Sequence, residues 1–289
     1  MFLLIKPGRQ PSDLTIRYSR SRLIVYIYCR YNAIMNLIDT HCHIDIEDFD
    51  TDRAAILRAC RQQGVSHIVV PAIQRCSWDR LLSLCSQEPN LYPALGLHPI
   101  YLDQHKESDL DDLEQYLVAN TVVAVGEIGL DYYVEQLDRD RQLFFFEAQL
   151  RIALEHQLPV LLHVRKAHDQ ILSTLKKIGA HGGIAHAFNG SLQQAQHYID
   201  MGFKLGFGGT MTYTHSSKIR RLAKELPLES IVLETDAPDM TVASHHGERN
   251  SPAYLPECLS ALASIRNMAE AELAQQLQIN TSSVLALNG

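Results

Sequence analysis

The sequence predicts an α/β protein with the (β/α)8 architecture of a TIM-type barrel, and three observations support this prediction. Eight short apolar runs recur along the 289 residues, and segments of helical periodicity separate them. The runs are almost continuously apolar, which is typical of parallel strands buried on both faces. A barrel of this type takes about 250 residues, so one domain accounts for most of the chain.

The eight apolar runs are the predicted strands. They are Leu37–Ile38, Ile68–Val70, Leu91–Leu97, Val122–Val125, Val160–Leu162, Gly183–Ala185, Lys204–Phe207 and Ile231–Leu233. Strands and helices alternate along the chain, which indicates a parallel sheet, and eight such units favour a closed barrel. An open doubly wound sheet is the alternative, but no G-x-G-x-x-G turn follows the first strand.

The segments between the runs predict helices. Residues 138–157 carry large apolar side chains every three to four positions. Helices are also predicted over 51–63, 191–202 and 216–225, with two more within 251–289. Gly64, Gly179 and Gly202 stand where three of the helices should end, because glycine favours the left-handed conformation that closes a helix.

The first 34 residues differ from the rest in charge. They hold six basic residues and one acid, whereas the whole chain has a net charge of -7. Met35 stands directly before the first predicted strand. We therefore expect residues 1–34 to be a disordered extension or the product of an upstream start codon, and 35–289 to form the barrel.

Composition indicates where the protein is located and what it can bind. The six cysteines form no C-x-x-C pair, which favours reduced thiols in the cytoplasm. The apolar run of residues 23–29 is far shorter than the roughly 20 residues that span a bilayer, so no membrane association is expected. A monomer is the default expectation. Because the net charge is -7, nucleic acid would have to bind at a local site.

Polar residues follow most of the predicted strands at the point where each strand ends. In a barrel of this type those ends meet at one rim, where the chemistry takes place. The residues are His41 and His43 after the first strand, then His98, Glu127, His163, His186 and Asp236. A single histidine at such a position is usually only a satisfied polar side chain. This converging set of imidazoles and carboxylates instead favours a divalent-metal site. On a strand, residues two apart face the same side, so His41 and His43 can share one ion.

At these positions the sequence resembles the TatD family of metal-dependent deoxyribonucleases, within the amidohydrolase superfamily. The stretches that carry the resemblance are Asp39–His43, Gly96–Pro99, Gly126–Tyr133, Pro159–Arg165, His186–Gly190, Glu234–Pro238 and Arg249–Pro252. The resemblance extends from about Met35 to the C-terminus. Within the family the sequence is similar to the YjjV-type subgroup, and residues Met240–Glu248, with no role predicted for them, look particular to it.

The resemblance implies two divalent metal ions, which could be zinc, manganese or magnesium. It implies that His41, His43, Glu127 and Asp236 bind one ion. Glu127, His163 and His186 are then the ligands of the second ion, with Glu127 bridging the two. Asp236 is the expected general base, and Glu127 and Asp236 are the expected catalytic residues.

The function expected from this resemblance is hydrolysis of phosphodiester bonds in DNA, at ends or in single strands, in the manner of a 3'-5' exonuclease. Arg165, His98 and Asn189 are the expected substrate contacts. For Arg165 a salt bridge at the rim is an equal alternative. His98 could bind phosphate or act as an acid, and packing beside the site is an equal alternative for it. The other histidines, among them His105 and His168, are mostly expected at the surface or in loops.

Two other functions remain open from the sequence. An amidohydrolase-type enzyme could use the same ions to hydrolyse a C–N or C–O bond, as in a lactone, a cyclic amide or an aminoacyl-tRNA ester. A second phosphate-binding cation beside Arg165 would favour phosphodiesters, whereas apolar walls would favour neutral substrates. The more remote alternative is a metal-binding protein without catalysis.

Overall fold

Eight parallel strands follow one another in chain order around a single sheet. The structure is a computed structural model that describes residues 36–287, so the expectation for residues 1–34 lies outside the described part. The strands are β1 (Leu37–Asp39), β2 (Val65–Pro71), β3 (Leu91–Leu95), β4 (Ala124–Asp131), β5 (Val160–Arg165), β6 (Gly183–Ala185), β7 (Phe203–Phe207) and β8 (Ile231–Leu233).

Backbone hydrogen bonds close the sheet just beyond the ends of β1 and β8. The Thr40 N–H donates to the Leu233 carbonyl at 3.0 Å, and the Asp236 N–H donates to the His41 carbonyl at 2.8 Å. The predicted (β/α)8 barrel is therefore confirmed. The β1–β8 seam, formed by residues 39–43 and 233–237, lies at the rim where the predicted metal ligands stand.

Nine α-helices surround the sheet within residues 36–287. They are α1 (Arg53–Gln62), α2 (Trp78–Gln87), α3 (Ser108–Ala119), α4 (Arg139–Glu155), α5 (His168–Ile178), α6 (Leu192–Asp200), α7 (Ser217–Glu225), α8 (Leu255–Arg266) and α9 (Glu270–Ser282). The helices predicted from periodicity are confirmed to within a few residues at each end. Gly179 closes α5 in the left-handed conformation, with φ at 77°. Among these helices none has the length and apolar character needed to span a membrane.

Strand β4 runs further than its apolar sequence predicts. The apolar run stops at Val125, but the strand continues to Asp131 and is buried at every residue. Side chains alternate along a strand, so Glu127, Gly129 and Asp131 share one face. Gly129 lets β5 approach closely, because a Cβ there would lie 2.0 Å from the His163 carbonyl oxygen.

Two buried glutamines of α4 hold the backbone at the rim. The Gln142 side chain accepts from the Asp131 N–H at 2.8 Å and donates to the Asp131 carbonyl at 2.9 Å. Gln149 accepts from the Leu97 N–H at 2.7 Å. Each amide side chain thus satisfies buried backbone groups that the strands leave unpaired, and α4 fixes the segments that follow β3 and end β4.

Candidate metal centre

The carboxylate of Glu127 lies at the middle of the predicted ligands, and its two oxygens face different histidines. Oε2 lies 3.1 Å from His41 Nε2 and 3.5 Å from His43 Nε2. Oε1 lies 3.0 Å from His163 Nδ1 and 3.3 Å from His186 Nε2. Glu127 is thus placed between two histidine pairs, as a bridging ligand would be.

Asp236 completes the first of these groups across the β1–β8 seam. Its Oδ1 lies 3.7 Å from Nε2 of both His41 and His43. The backbone of Asp236 is left-handed, with φ at 56°, a conformation that aspartate tolerates better than most residues. One detail of the prediction is corrected: β1 ends at Asp39, so the two histidines follow the strand. Their Nε2 atoms nevertheless lie 3.3 Å apart.

Three sets of nitrogen and oxygen atoms lie close enough to hold metal ions. Within each set the atoms are within 4.8 Å of one another: His41 with Glu127 and His186, His41 with His43 and Asp236, and His98 with Glu127 and His163. The structure therefore brings together all six predicted ligands, with His98 in addition.

Hydrogen bonds on the far side of two imidazoles show which ring nitrogen carries a proton. His43 Nδ1 lies 3.1 Å from the Pro71 carbonyl, and His163 Nε2 lies 3.0 Å from Asp131 Oδ2. Both partners only accept, so those nitrogens carry the protons. The other nitrogens face the carboxylate of Glu127. Burial opposes a charge on His163, but Asp131 and Glu127 outweigh it and raise its pKa, so without an ion both ring nitrogens favour a proton. A divalent cation can replace the proton between His163 Nδ1 and Glu127, so the residues fit a metal.

His98 differs from the other histidines of the cluster. Its Nδ1 accepts from the Ile100 N–H at 3.1 Å, so in the neutral ring Nε2 carries the proton. That Nε2 lies 3.3 Å from Glu127 Oε1. The geometry makes His98 a donor that orients the central carboxylate, which neither of the two sequence-based interpretations of this residue included.

Burial and mutual charge shift the pKa values of the cluster. Burial lowers the pKa of His41 to about 3 and raises that of Asp236 to about 6. For Glu127, burial opposes ionisation, but the surrounding histidines, His98 foremost, outweigh it and hold the pKa well below its ordinary value. The neutral imidazole of His41 and the ionised carboxylate of Glu127 are the forms that bind a divalent ion.

Three acids beside the cluster had no role in the sequence-based prediction. Asp131 orients His163, and Glu234 Oε1 lies 3.5 Å from His186 Nδ1. Asp39 accepts from the Thr235 N–H at 3.0 Å and from its hydroxyl at 2.6 Å, across the β1–β8 seam. A signal for Asp131 exists in the sequence, since it lies four residues after Glu127 on the same strand face.

The cluster forms the floor of a cavity of about 700 Å³ at the barrel rim. The cavity is within the usual size range of small-molecule sites, and polar and apolar residues line it in similar measure. The apolar part of the wall is formed by several side chains. They include Ile46, Ile73, Phe188, Phe207, Ile219 and Met240.

Two predicted substrate contacts, Arg165 and Asn189, line this cavity and are exposed. The Arg165 guanidinium lies 3.8 Å from the centre of the Tyr133 ring. Within residues 36–287 no carboxylate pairs with it, so the alternative of a rim salt bridge is not found. The Asn189 side-chain oxygen accepts from His168 Nε2 at 3.2 Å.

A closed α/β barrel with a buried histidine–carboxylate cluster under an open cavity defines the metal-dependent hydrolase class. The model of one family of that class, the TatD related DNases, matches residues 38–286. The chain belongs to this family.

Individual relatives agree with this assignment. The metal-dependent hydrolase YjjV of Escherichia coli K12 is 41% identical over 251 residues, or 86% of this chain and 97% of that protein. Its crystal structure matches with a TM-score of 0.84, covering 88% of this chain and 99% of that one. The 3'-5' ssDNA/RNA exonuclease TatD of Pantoea is 29% identical over 262 residues, 87% of this chain and 100% of that protein. The similarity to YjjV supports the predicted subgroup.

Proposed function

We propose that the protein hydrolyses phosphodiester bonds of DNA, at strand ends or in single strands, in the manner of a metal-dependent 3'-5' exonuclease. The observation that carries the proposal is the placement of Glu127 between two groups of ligands below a cavity whose rim holds an unpaired arginine, Arg165. The name of the Pantoea relative, a 3'-5' ssDNA/RNA exonuclease, supports the same reaction.

Two divalent ions are proposed at the floor of the cavity, with Glu127 as a ligand of both. His41, His43 and Asp236 complete one site, and His163 and His186 complete the other. Such ions activate water at neutral pH and offset the negative charge of a phosphate. Mixed imidazole and carboxylate ligands accept zinc, manganese or magnesium, so all three are candidates.

The proposed general base is Asp236. Its carboxylate lies 3.7 Å from Nε2 of both His41 and His43, beside the proposed ion site, and can take a proton from a water there. The hydroxyl formed from that water adds to phosphorus as the bond to the leaving sugar oxygen breaks. The proton then leaves Asp236 for the departing oxygen or for solvent.

Substrate contacts are proposed at the cavity wall. Arg165 has an exposed guanidinium beside the cavity and can donate two hydrogen bonds to one phosphate. The Asn189 oxygen already accepts from His168 and its amide nitrogen donates to the Ala187 carbonyl at 3.3 Å, so the amide has one N–H left to offer to the ligand. His98, which faces Glu127, is proposed to position that carboxylate and not to contact the substrate.

Apolar residues in one part of the cavity wall favour a second candidate, the hydrolysis of a C–N or C–O bond at a carbonyl. A lactone, a cyclic amide or an aminoacyl ester carries less charge than DNA and would pack against Ile73, Phe207 and Ile219. The same ligands and the same base would serve this reaction, so a test of substrates is needed to distinguish the two candidate functions.

A direct comparison of substrates tests the proposal. Single-stranded DNA labelled at the 3' or the 5' end is incubated with the protein beside a panel of lactones and dipeptides. Mg²⁺, Mn²⁺ or Zn²⁺ is restored after chelation. We expect metal-dependent shortening from the 3' end that Asp236→Asn and Glu127→Gln abolish. The matched control is Gln115→Leu, on the exposed face of α3. Intact DNA with turnover of a carbonyl substrate would establish the second candidate, and no turnover of either would favour metal binding alone.

We further propose that the protein acts as a cytoplasmic monomer. The cysteines among residues 36–287 are unpaired, as expected where thiols are kept reduced. Sedimentation at micromolar concentration tests the monomer, and fractionation of cells tests the location.

A further inference from the structure

The rim of the cavity carries opposite charges on opposite sides. The loops after β1 and β8 expose acids, namely Glu47, Asp48, Asp50, Asp239 and Glu248. Arg165 and Lys166 stand at the end of β5, and Lys218 stands in the first turn of α7, which follows β7. The loop after β3 holds both signs, and the loop after β4 exposes two acids, Glu135 and Asp138. A polyanion that leaves the cavity therefore meets repulsion over β1 and β8 and attraction over β5 to β7.

Ion pairing also differs between the two sides of the rim, and over β1 it offsets part of the acidic charge, since Asp50 pairs with both Arg53 and Arg80. On the β1 and β8 side the basic side chains have carboxylate partners. Arg53 contacts Asp50 at 2.5 Å, and Arg249 contacts Asp52 at 2.6 Å. Across the described part of the chain, by contrast, no carboxylate lies within salt-bridge distance of the three cations on the β5 to β7 side.

The surroundings of two of these cations leave their charge in place. Lys218 donates to the backbone carbonyl of Asn189. Asp169, the acid nearest to Lys166 in sequence, accepts from Gln194 at 2.7 Å. Their positive charge is thus not offset by ion pairing and is available to a ligand.

The aromatic ring of Tyr133 contacts two of these cations. The Arg165 guanidinium lies 3.8 Å from the centre of its ring, and Lys166 Nζ lies 4.8 Å from it. Both distances are within the range of cation–π attraction, which offsets the repulsion between the two like charges. The ring itself is 50% exposed. Of the two cations only Arg165 lines the cavity, so Lys166 extends the positive charge outward from it.

We infer that Arg165, Lys166 and Lys218, which we call the basic rim, bind the part of a nucleic acid strand that lies outside the cavity. The inference rests on the proposed function and adds a direction to it. The strand end enters the cavity beside Arg165, and the rest of the strand runs over β5 to β7, away from the acidic loops. Asn189 lines the cavity and touches Lys218, so the path is continuous from the floor to the outer surface.

The basic rim predicts a dependence on strand length. A dinucleotide fits within the cavity region and reaches Arg165 alone, whereas a longer strand also reaches Lys166 and Lys218. For single strands, each phosphate contact contributes about 0.7 to the slope of log affinity against log salt concentration. Removal of both lysines should therefore lower that slope by about 1.4 for a long strand and leave it unchanged for a dinucleotide.

The test compares two double variants with the same change in net charge. Lys166→Gln with Lys218→Gln removes the rim lysines. Lys176→Gln with Lys177→Gln is the control, since these exposed lysines lie in the last turn of α5, at the opposite end of the barrel. Binding of labelled single strands of graded length is measured by fluorescence anisotropy over a salt series, and cleavage is measured on the same strands.

We expect the rim variant to bind the longest strand about tenfold more weakly than the control at moderate salt, with equal binding of the dinucleotide. Equal binding of the long strand by both variants would overturn the inference, and so would an equal loss on the dinucleotide. Because binding is read separately from cleavage, a length-dependent loss of binding with no cleavage by any protein would support the rim and reject the proposed reaction.

Discussion

His163 and Asp131 are joined by a 3.0 Å contact between the imidazole Nε2 and the carboxylate Oδ2. The other oxygen of Asp131 accepts from the backbone N–H groups of Tyr133 and Val134, at 2.9 Å and 3.1 Å. The carboxylate is therefore held in place by the start of the loop that carries Tyr133. The segment of residues 131–134 thus orients the predicted metal ligand His163 through Asp131. The same segment contacts the basic rim through the ring of Tyr133.

Asp131→Asn should weaken metal binding. If the new amide places its oxygen toward Tyr133 and Val134, its N–H groups face His163 Nε2 and favour the tautomer with the proton on Nδ1. That tautomer has no lone pair for an ion beside Glu127. Loss of such a supporting contact typically costs about 10- to 100-fold in metal affinity. Competition with a chelator measures this, and Asp169→Asn on the exposed start of α5 is the control. An unchanged affinity would show that Asp131 does not set the tautomer.

Gln142→Leu should destabilise the barrel by about 2–4 kcal/mol, since it strands a buried N–H and a buried carbonyl of Asp131. Urea unfolding measures the change. Gln115→Leu makes the same substitution at an exposed position of α3, where about 0.5 kcal/mol or less is expected. Equal effects in the two variants would contradict the assigned role of Gln142.

The sequence predicts the barrel, and the candidate ligands that it predicts lie together in the structure, because both predictions depend on patterns that are local in the chain. Apolar runs mark buried parallel strands, and polar residues at their ends mark the rim. It does not predict the burial of Gln142 or of His168. Their burial depends on partners that only the fold brings near, such as the Asp131 backbone for Gln142 and Tyr198 for His168. The apolar run of β4 stops at Val125, whereas the strand continues to Asp131, because the buried carboxylate of Glu127 finds its partners on other strands.

His168 should make the protein less stable as the pH falls below about 6.5, the pKa of a free histidine. Its ring contacts the Tyr198 hydroxyl at 3.3 Å and Asn189 at 3.2 Å. Burial lowers its pKa, Lys218 lowers it further, and Asp169 opposes them. The unfolded chain therefore binds a proton before the folded protein does. The contribution of His168 is complete above about pH 6.5 and is lost as the pH falls toward the folded pKa.

Urea unfolding at about pH 7.5 and about pH 5.5 measures this effect. His168→Gln should lose less stability between the two pH values than the unmodified protein does. His197→Gln, at an exposed position of α6, controls for the loss of a histidine. A variant of His168 that retained the whole pH dependence would place its origin elsewhere.

Gly206→Ala should disturb Glu234. An added Cβ would lie 2.1 Å from Glu234 Oε2, so the carboxylate must move away from His186 and from the Ala187 N–H. Overpacking of this kind costs about 1–3 kcal/mol. Combining Gly206→Ala with Glu234→Ala removes the clash, so the two effects on unfolding should be clearly less than additive. Simple additivity would mean that the alanine is accommodated without contact.

The β1–β8 seam also bears on how the chain is made. His41 and His43 leave the ribosome early, whereas Asp236, which holds the His41 carbonyl, emerges only after most of the barrel. A nascent chain therefore cannot assemble the first proposed ion site until its last strand has been synthesised and docked. An ion that binds only the completed site stabilises it by about 2.7 kcal/mol at a concentration one hundred times its dissociation constant. Incomplete translation products receive none of this stabilisation, so metal supply should protect full-length chains from proteolysis and leave truncated ones exposed.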